Sequence, residues 1–143
     1  MYFYLMRYSN YKTHKIPAFT LNEMLVVLAI IGAIMLIAYP NLMPLITKAK
    51  SQEAKLNLKH IAQLQTFYYY SNSQYSMDLE SIDFVHPKTI KDGGTALYQY
   101  EILSADGSSF KVKAEAVQDF DGDGILNLWE IDQEGRPNEV VKD

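Results

Sequence analysis

The sequence predicts an α+β chain: one long N-terminal α-helix, membrane-spanning in its first half, packed through its second half on a small C-terminal antiparallel β-sheet. Three observations predict it. Residues 24–47 carry no charged side chain and are mainly apolar. Beyond Lys48 the apolar residues recur at helical three-to-four spacing. The last third alternates apolar and polar residues between turn-forming clusters, the pattern of half-buried strands.

The helix is expected from Phe19 to about Tyr70. About 20 consecutive apolar residues cross a hydrocarbon core of about 30 Å, so residues 19–47 form the membrane or filament-core segment. Its first half is apolar all round, as a helix buried by lipid or by neighbours must be. Pro40 and Pro44 lack an amide hydrogen and clash with the preceding turn, which predicts a kink. Residues 48–70 form the amphipathic half. Ala54, Leu58, Ile61, Leu64, Gln65 and Tyr68 share one face, and Lys50, Gln52, Glu53, Lys55 and Lys59 mostly lie elsewhere. At 1.5 Å per residue the whole helix would measure roughly 75 Å, more than a one-domain globule can bury. Lys48 and Lys50 are read as charges at the membrane boundary. The aromatic run Phe67-Tyr68-Tyr69-Tyr70 reads as core and subunit-contact surface.

Residues 71–143 hold a connecting loop and a β-meander. Tyr70–Ser76 breaks the helical period, a helical turn is expected near Met77–Ile82, and loop surrounds Pro87 and Asp92-Gly93-Gly94. Leu97–Leu103 and Phe110–Val117 read as strands joined by Ser104-Ala105-Asp106-Gly107-Ser108, an Asp-Gly hairpin signal. Ile125–Asp132 reads as a third strand and Asn138–Lys142 as a fourth.

Chemistry concentrates in two places. The first is Ala18-Phe19-Thr20-Leu21-Asn22-Glu23, at the head of the uncharged run. An ionised acid within a membrane span costs about 2.5–3.5 kcal/mol, so Glu23 is a functional residue by default. The segment resembles the signal of type IV pilins and type II secretion pseudopilins, in which a short basic leader is cut just before Phe and Phe-Thr-Leu-x-Glu opens the mature chain. Phe19, Thr20, Leu21 and Glu23 match. Gly32 and Pro40 fall where family members commonly carry a helix-loosening Gly and Pro. Ala18 stands where the family usually has Gly. The resemblance implies a leader of residues 1–18, cleavage between Ala18 and Phe19 by a prepilin peptidase, and N-methylation of Phe19. It also implies assembly at an inner-membrane platform, through Phe19, Glu23, Gly32 and Pro40, into a helical filament of copies of this chain. In that filament Glu23 of one subunit would face the Phe19 amine of another.

Charge agrees with that orientation. Arg7, Lys12 and Lys15 precede the cut and no acid does; removing three cations from a chain of formal net charge −4 leaves −7. A basic flank before an apolar run holds that end in the cytoplasm and sends the C-terminal part across. The precursor is therefore a single-pass inner-membrane protein, and its filament is extracellular or periplasmic. Both Met1 and Met6 can serve as the start. An acidic exported domain lacks the electrostatic footprint of a nucleic-acid binder. There is no cysteine, so disulfides, thiolate metal sites and cysteine nucleophiles are excluded. His60 and His86 lack a partner set for a metal or a triad, no phosphate loop or nucleophile elbow is present, and the chain is not read as an enzyme.

The second place is Asp119-Phe120-Asp121-Gly122-Asp123-Gly124-Ile125-Leu126-Asn127-Leu128-Trp129-Glu130, which fits the calcium-loop pattern of alternate acids, a turn Gly and an acid at the twelfth position. The candidate ligands are Asp119, Asp121, Asp123, the Ile125 carbonyl, Asn127 and Glu130. Strand-like flanks argue against a helix-loop-helix hand, and a plain Asp/Gly hairpin turn is the competing reading. Structural calcium in some pseudopilins of the family adds an analogy. The favoured function is a type IV filament subunit. The alternatives are a secretion pseudopilin, a scarce filament-tip or DNA-uptake subunit, and a single-pass calcium-binding module that never polymerises.

Overall fold

The computed structural model describes residues 18–143; all but the last residue of the expected leader lie outside them. Helix α1 runs Leu21–Asn72, starting two residues later than the periodicity suggests because Thr20 caps it. It continues through Pro40 and Pro44 to Asn72, one uninterrupted helix as expected. Four strands follow: β1 (Tyr98–Ala105), β2 (Phe110–Ala116), β3 (Leu128–Asp132) and β4 (Asn138–Val141). They form one antiparallel sheet in the order β1-β2-β3-β4, a meander in which each strand pairs with its sequence neighbour. The described chain divides into two units, the first ending at Ile37 and the second running Ala38–Asp143.

In the second unit the core lies between one face of the sheet and the C-terminal half of α1. Ala54, Leu58, Ile61 and Ala62 from the helix meet Tyr98, Tyr100 and Ile102 of β1 and Phe110, Val112 and Ala114 of β2 in one buried cluster. Trp129 and Ile131 of β3 complete it. The alternation explains the sorting, since successive strand side chains point to opposite faces. On the outer face Lys113 bridges Glu101 at 3.0 Å and Glu115 at 3.2 Å, and Lys111 pairs with Glu130 at 3.3 Å. Partly exposed pairs of this kind contribute about 0.2–1 kcal/mol each.

Several polar helix residues turn out to be anchors. The Glu53 carboxylate accepts the Leu97 amide at 2.9 and 3.1 Å. Asn57 donates to the Tyr100 hydroxyl at 2.8 Å. Lys50 lies 4.4 Å from the Phe120 ring centre and Lys55 4.3 Å from that of Trp129. Lys50 is therefore a cation over an aromatic face. Gln65, fully buried, donates to the Ser76 carbonyl at 2.7 Å and accepts its amide at 2.9 Å. That pair pins the loop where α1 ends, and Ser73 takes the left-handed conformation there (φ 55°).

The aromatic run divides. Tyr68 packs on the core and Tyr69 stacks on Tyr75 at 4.8 Å, while Phe67 and Tyr70 are exposed. The expected turn near Met77–Ile82 is present, shifted to Leu79–Asp83. A 3₁₀ turn at Ile90–Asp92 was not foreseen. Beside it Gly94 approaches the chain closely: a Cβ there would lie 2.0 Å from the Lys88 carbonyl oxygen. The third strand begins at Leu128, not Ile125, because residues 125–127 stay in the loop and Asn127 is drawn inward.

Candidate functional site

At the head of α1, Thr20 is the N-cap and Glu23 the third helical residue. Glu23 Oε2 accepts the Thr20 amide and the Thr20 hydroxyl, both at 2.8 Å, and the Glu23 amide donates to Thr20 Oγ1 at 3.2 Å. This is a reciprocal capping box, which satisfies two amides that a helix start leaves without partners. The local sequence thus holds the acid by itself, and both bonds to it use Oε2. Phe19, immediately outside the helix, is 75% exposed. Ala18 also lies outside the helix and is exposed, and a Cβ on Gly32 would meet nothing within 4 Å. Pro40 lies within α1.

The helix segment behind this cap has membrane length and composition, and none of its most apolar 18-residue window is buried. Large apolar side chains from Leu21 to Ile46 face outward on every side. Such a surface requires a cover from outside the chain, because contiguous apolar patches this large mark interaction sites or membrane contact.

The β2–β3 connection holds the second cluster. Asp119 accepts the amides of Asp121, Gly122 and Gly124 at 3.1, 2.6 and 2.7 Å. Gly122 and Gly124 sit at φ 89° and 87°, a region that L side chains rarely adopt. Asp121 accepts the Asp123 amide and Asp123 the Ile125 amide, at 3.1 and 2.7 Å. Two of the six expected ligands are turned elsewhere. Asn127 is fully buried; its Oδ1 accepts the Tyr98 hydroxyl and the Trp129 indole, and its Nδ2 donates to Glu139 and the Val141 carbonyl. Glu130, in β3, points to the outer sheet face and pairs with Lys111. Strand geometry is the physical reason: β3 alternates, so Trp129 takes the core side and Glu130 the other.

A residue that the loop pattern did not include stands beside the first two acids. Ligand atoms of Asp119, Asp121 and Asp143 all lie within 4.8 Å of one another. Asp143 Oδ2 accepts the Phe120 amide at 2.9 Å. Asp143 Oδ1 is buried without a hydrogen-bond partner. Burial pushes the Asp143 carboxyl above the usual carboxylate range, and the charges of Asp121 and Asp119 add to this against the Phe120 bond. The amides of Gly122 and Gly124 hold Asp119 below that range. Nothing in the loop's own spacing could have announced Asp143, which follows two further strands.

A four-stranded meander on an amphipathic helix half, with an uncharged membrane-length stretch and a capped acid at the head of the same helix, defines the pilin class of fold. A family model described as "Type IV minor pilin ComP, DNA uptake sequence receptor" matches residues 40–124. The type IV major pilin protein PilA of Myxococcus xanthus (strain DK1622) is 31% identical over 102 residues, which cover 71% of this chain and 43% of that relative. The chain belongs to the type IV pilin family, and it spans less than half the length of this curated relative.

Proposed function

We propose that the chain is a structural subunit of a type IV filament. The observation that carries this reading is the exposed apolar half of α1 with Glu23 at its head. Lipid covers that surface while the subunit waits in the inner membrane, and neighbouring copies cover it in the fibre. Prepilin peptidase cuts between Ala18 and Phe19, the new Phe19 amine is methylated, and an inner-membrane platform adds the subunit at the base. Glu23 of an arriving subunit pairs with the Phe19 amine of one already docked. At about 4 Å and an effective dielectric of about 20 this attraction is roughly 4 kcal/mol, comparable with the cost of holding the acid in hydrocarbon. The Thr20 cap occupies Oε2, so Oε1 remains for the cation and helix start and subunit register are served together. The role is structural, not catalytic.

Glu23→Leu and shear fractionation test the reading. The parent chain is expected in sheared, pelleted fibres, with a mature mass beginning at methylated Phe19. Glu23→Leu is expected to remain with the membranes at a tenth of parental fibre yield or less. A variant that forms fibres as abundantly and as regularly as the parent sinks the assembly account. A parent found only in membranes favours the anchored module, and fibres confined to the periplasm favour the secretion pseudopilin. The family description, a DNA uptake sequence receptor, supports a second reading, a scarce DNA-receptor subunit. The acidic balance of the exported part weighs against a phosphate-tracking surface of the usual kind, and abundance in the fibre together with salt-dependent DNA retention separates the two.

A further inference from the structure

We propose that the cleft between the middle of α1 and the end of the sheet seats the phosphate of a membrane phospholipid headgroup. The cleft encloses about 300 Å³, the small end of ligand sites, which suits a headgroup whose acyl chains stay in the bilayer. Three lysines line it: Lys48 and Lys55 from α1 and Lys142 from the segment after β4. Among the described residues none of the three makes a salt bridge. Glu139 and Asp143 line the cleft too, but each carboxylate is already held. Glu139 accepts Asn127 Nδ2 and Asp143 accepts the Phe120 amide, both at 2.9 Å. Three ammonium groups on one cleft, each carrying only donors and lacking a carboxylate partner, match a phosphate diester, whose charged oxygens only accept.

Depth identifies the source of the phosphate. The charge-free run starts at Met24, and about 20 helical residues cross the hydrocarbon core, which brings the chain to the neighbourhood of Met43. The headgroup layer adds about 5–7 Å on each side, or about three to five more residues at about 1.5 Å each. Pro44, Leu45 and Lys48 of the cleft are those residues. The first two meet the upper ends of acyl chains and Lys48 meets the phosphates, where juxtamembrane lysines attract anionic lipid. Trp129, on the same cleft, is a residue type enriched at that level. Lys55 Nζ lies 4.3 Å from the Trp129 ring centre, and its flexible stem lets the ammonium leave the ring for the phosphate. Free phosphate shares the chemistry but not the depth. The proposal rests on the membrane-resident stage of the filament reading and not on assembly, so a chain that never forms fibres leaves it standing.

The chain has one tryptophan, so Trp129 emission reports on this cleft alone. The full chain in maltoside micelles, which carry no phosphate, is titrated with phosphatidylglycerol, a lipid whose only charge is its phosphate. Binding is followed by that emission and by phosphorus magnetic resonance of the lipid, and saturation at one lipid per chain is expected. Lys48 and Lys142 are exposed, so the double variant Lys48→Gln/Lys142→Gln keeps the fold, as circular dichroism verifies. It is expected to bind at least about fivefold more weakly. Lys111→Gln, which removes a cation of the outer sheet face, is expected to stay within about twofold of the parent. Diacylglycerol, which lacks the phosphate, and glycerol phosphate, which lacks the chains, are expected to give no response at the same concentrations. No saturable change in either signal for the unaltered chain overturns the proposal, as does a smaller loss in the double variant. An equal loss in Lys111→Gln reduces the effect to general surface charge and overturns the site. A response to diacylglycerol overturns phosphate recognition, and an equal response to glycerol phosphate overturns the membrane source.

Discussion

Asn127 makes four hydrogen bonds from one amide group: two accepted by Oδ1, from Tyr98 and Trp129, and two donated by Nδ2, to Glu139 and Val141. It joins β1 to β3 and β4, strands with which β1 shares no ladder, and it is fully buried. Asn127→Ala removes all four bonds and leaves the Tyr98 hydroxyl and the Trp129 indole without an acceptor. Each buried group so abandoned costs about 1–3 kcal/mol, so the variant is expected to lose about 3–5 kcal/mol in a urea unfolding titration. A loss under 1 kcal/mol would show that water replaces the amide and that the bolt is dispensable. Asp106 gives the residue scale a pH signature. Its carboxylate accepts the amides of Ser108 and Ser109 at 2.6 and 2.7 Å, which hold its pKa down to about 2 from 3.8. A carboxylate depressed in the folded state stabilises fully above its unfolded value and loses that contribution as pH falls through the folded one. The stability gap between the parent and Asp106→Asn should therefore be constant above about pH 5 and close towards pH 2; a gap independent of pH would remove the charge from the explanation. Neither role is equally visible in the chain. The Asp-Gly pair advertises its turn, whereas the partners of Asn127 lie as far as 29 residues away.

Strand alternation and helical spacing were readable because each element buries one face. Leu58, Ile61 and Gln65 on α1, and Tyr98, Tyr100 and Ile102 on β1, lie on the sides their periods indicate. Less readable was how the connections work. The β1–β2 hairpin does close at Asp106-Gly107, but Gly107 does not adopt a positive φ. Instead the turn is held by the Asp106 side chain and by its amide donating to the Ser109 carbonyl at 2.9 Å. Periodicity also missed Glu53 and Lys55, since a polar residue at the edge of a helical face looks the same whether it meets water or a neighbouring strand. The loop before β1 yields the prediction at this scale. Gly94 donates to the Thr89 carbonyl at 2.8 Å, and a Cβ would lie 2.5 Å from the Lys88 carbonyl carbon. Gly94→Ala must displace backbone and should cost about 1–3 kcal/mol. Gly107→Ala meets open space and should stay within about 0.5 kcal/mol of the parent. Equal midpoints for the two in thermal melts would mean that the 89–96 loop shifts freely.

Across the whole molecule, the head of α1 was the most legible part because it is written in consecutive residues: a cap, one acid, then residues 24–47 without charge. The acidic cluster was the least legible, since its third member returns from beyond β4. A consequence for the intact chain follows from where burial begins. Every buried residue among those described lies at Thr47 or later, so the fold of the second unit owes none of its core to the apolar segment. A chain starting at Thr47 keeps Ser51, Ala54, Leu58, Ile61 and Gln65 on the helix and all four strands. Most of its stability should survive, because helix stability in proteins comes chiefly from the packed face rather than from length. The expected outcome is a soluble monomer whose far-ultraviolet spectrum shows helix and sheet and whose melting point lies within about 5 °C of the detergent-solubilised full chain, a shift of about 1 kcal/mol for a domain of this size. It should also be absent from sheared fibres, having lost both Glu23 and the surface that neighbouring helices would cover. Analytical ultracentrifugation and a thermal melt read both halves of this expectation. A shortened chain that loses cooperative melting would show that the apolar half supports the fold as well as the assembly. One that still sediments as fibres would move the assembly surface to the sheet or to the exposed Phe67 and Tyr70.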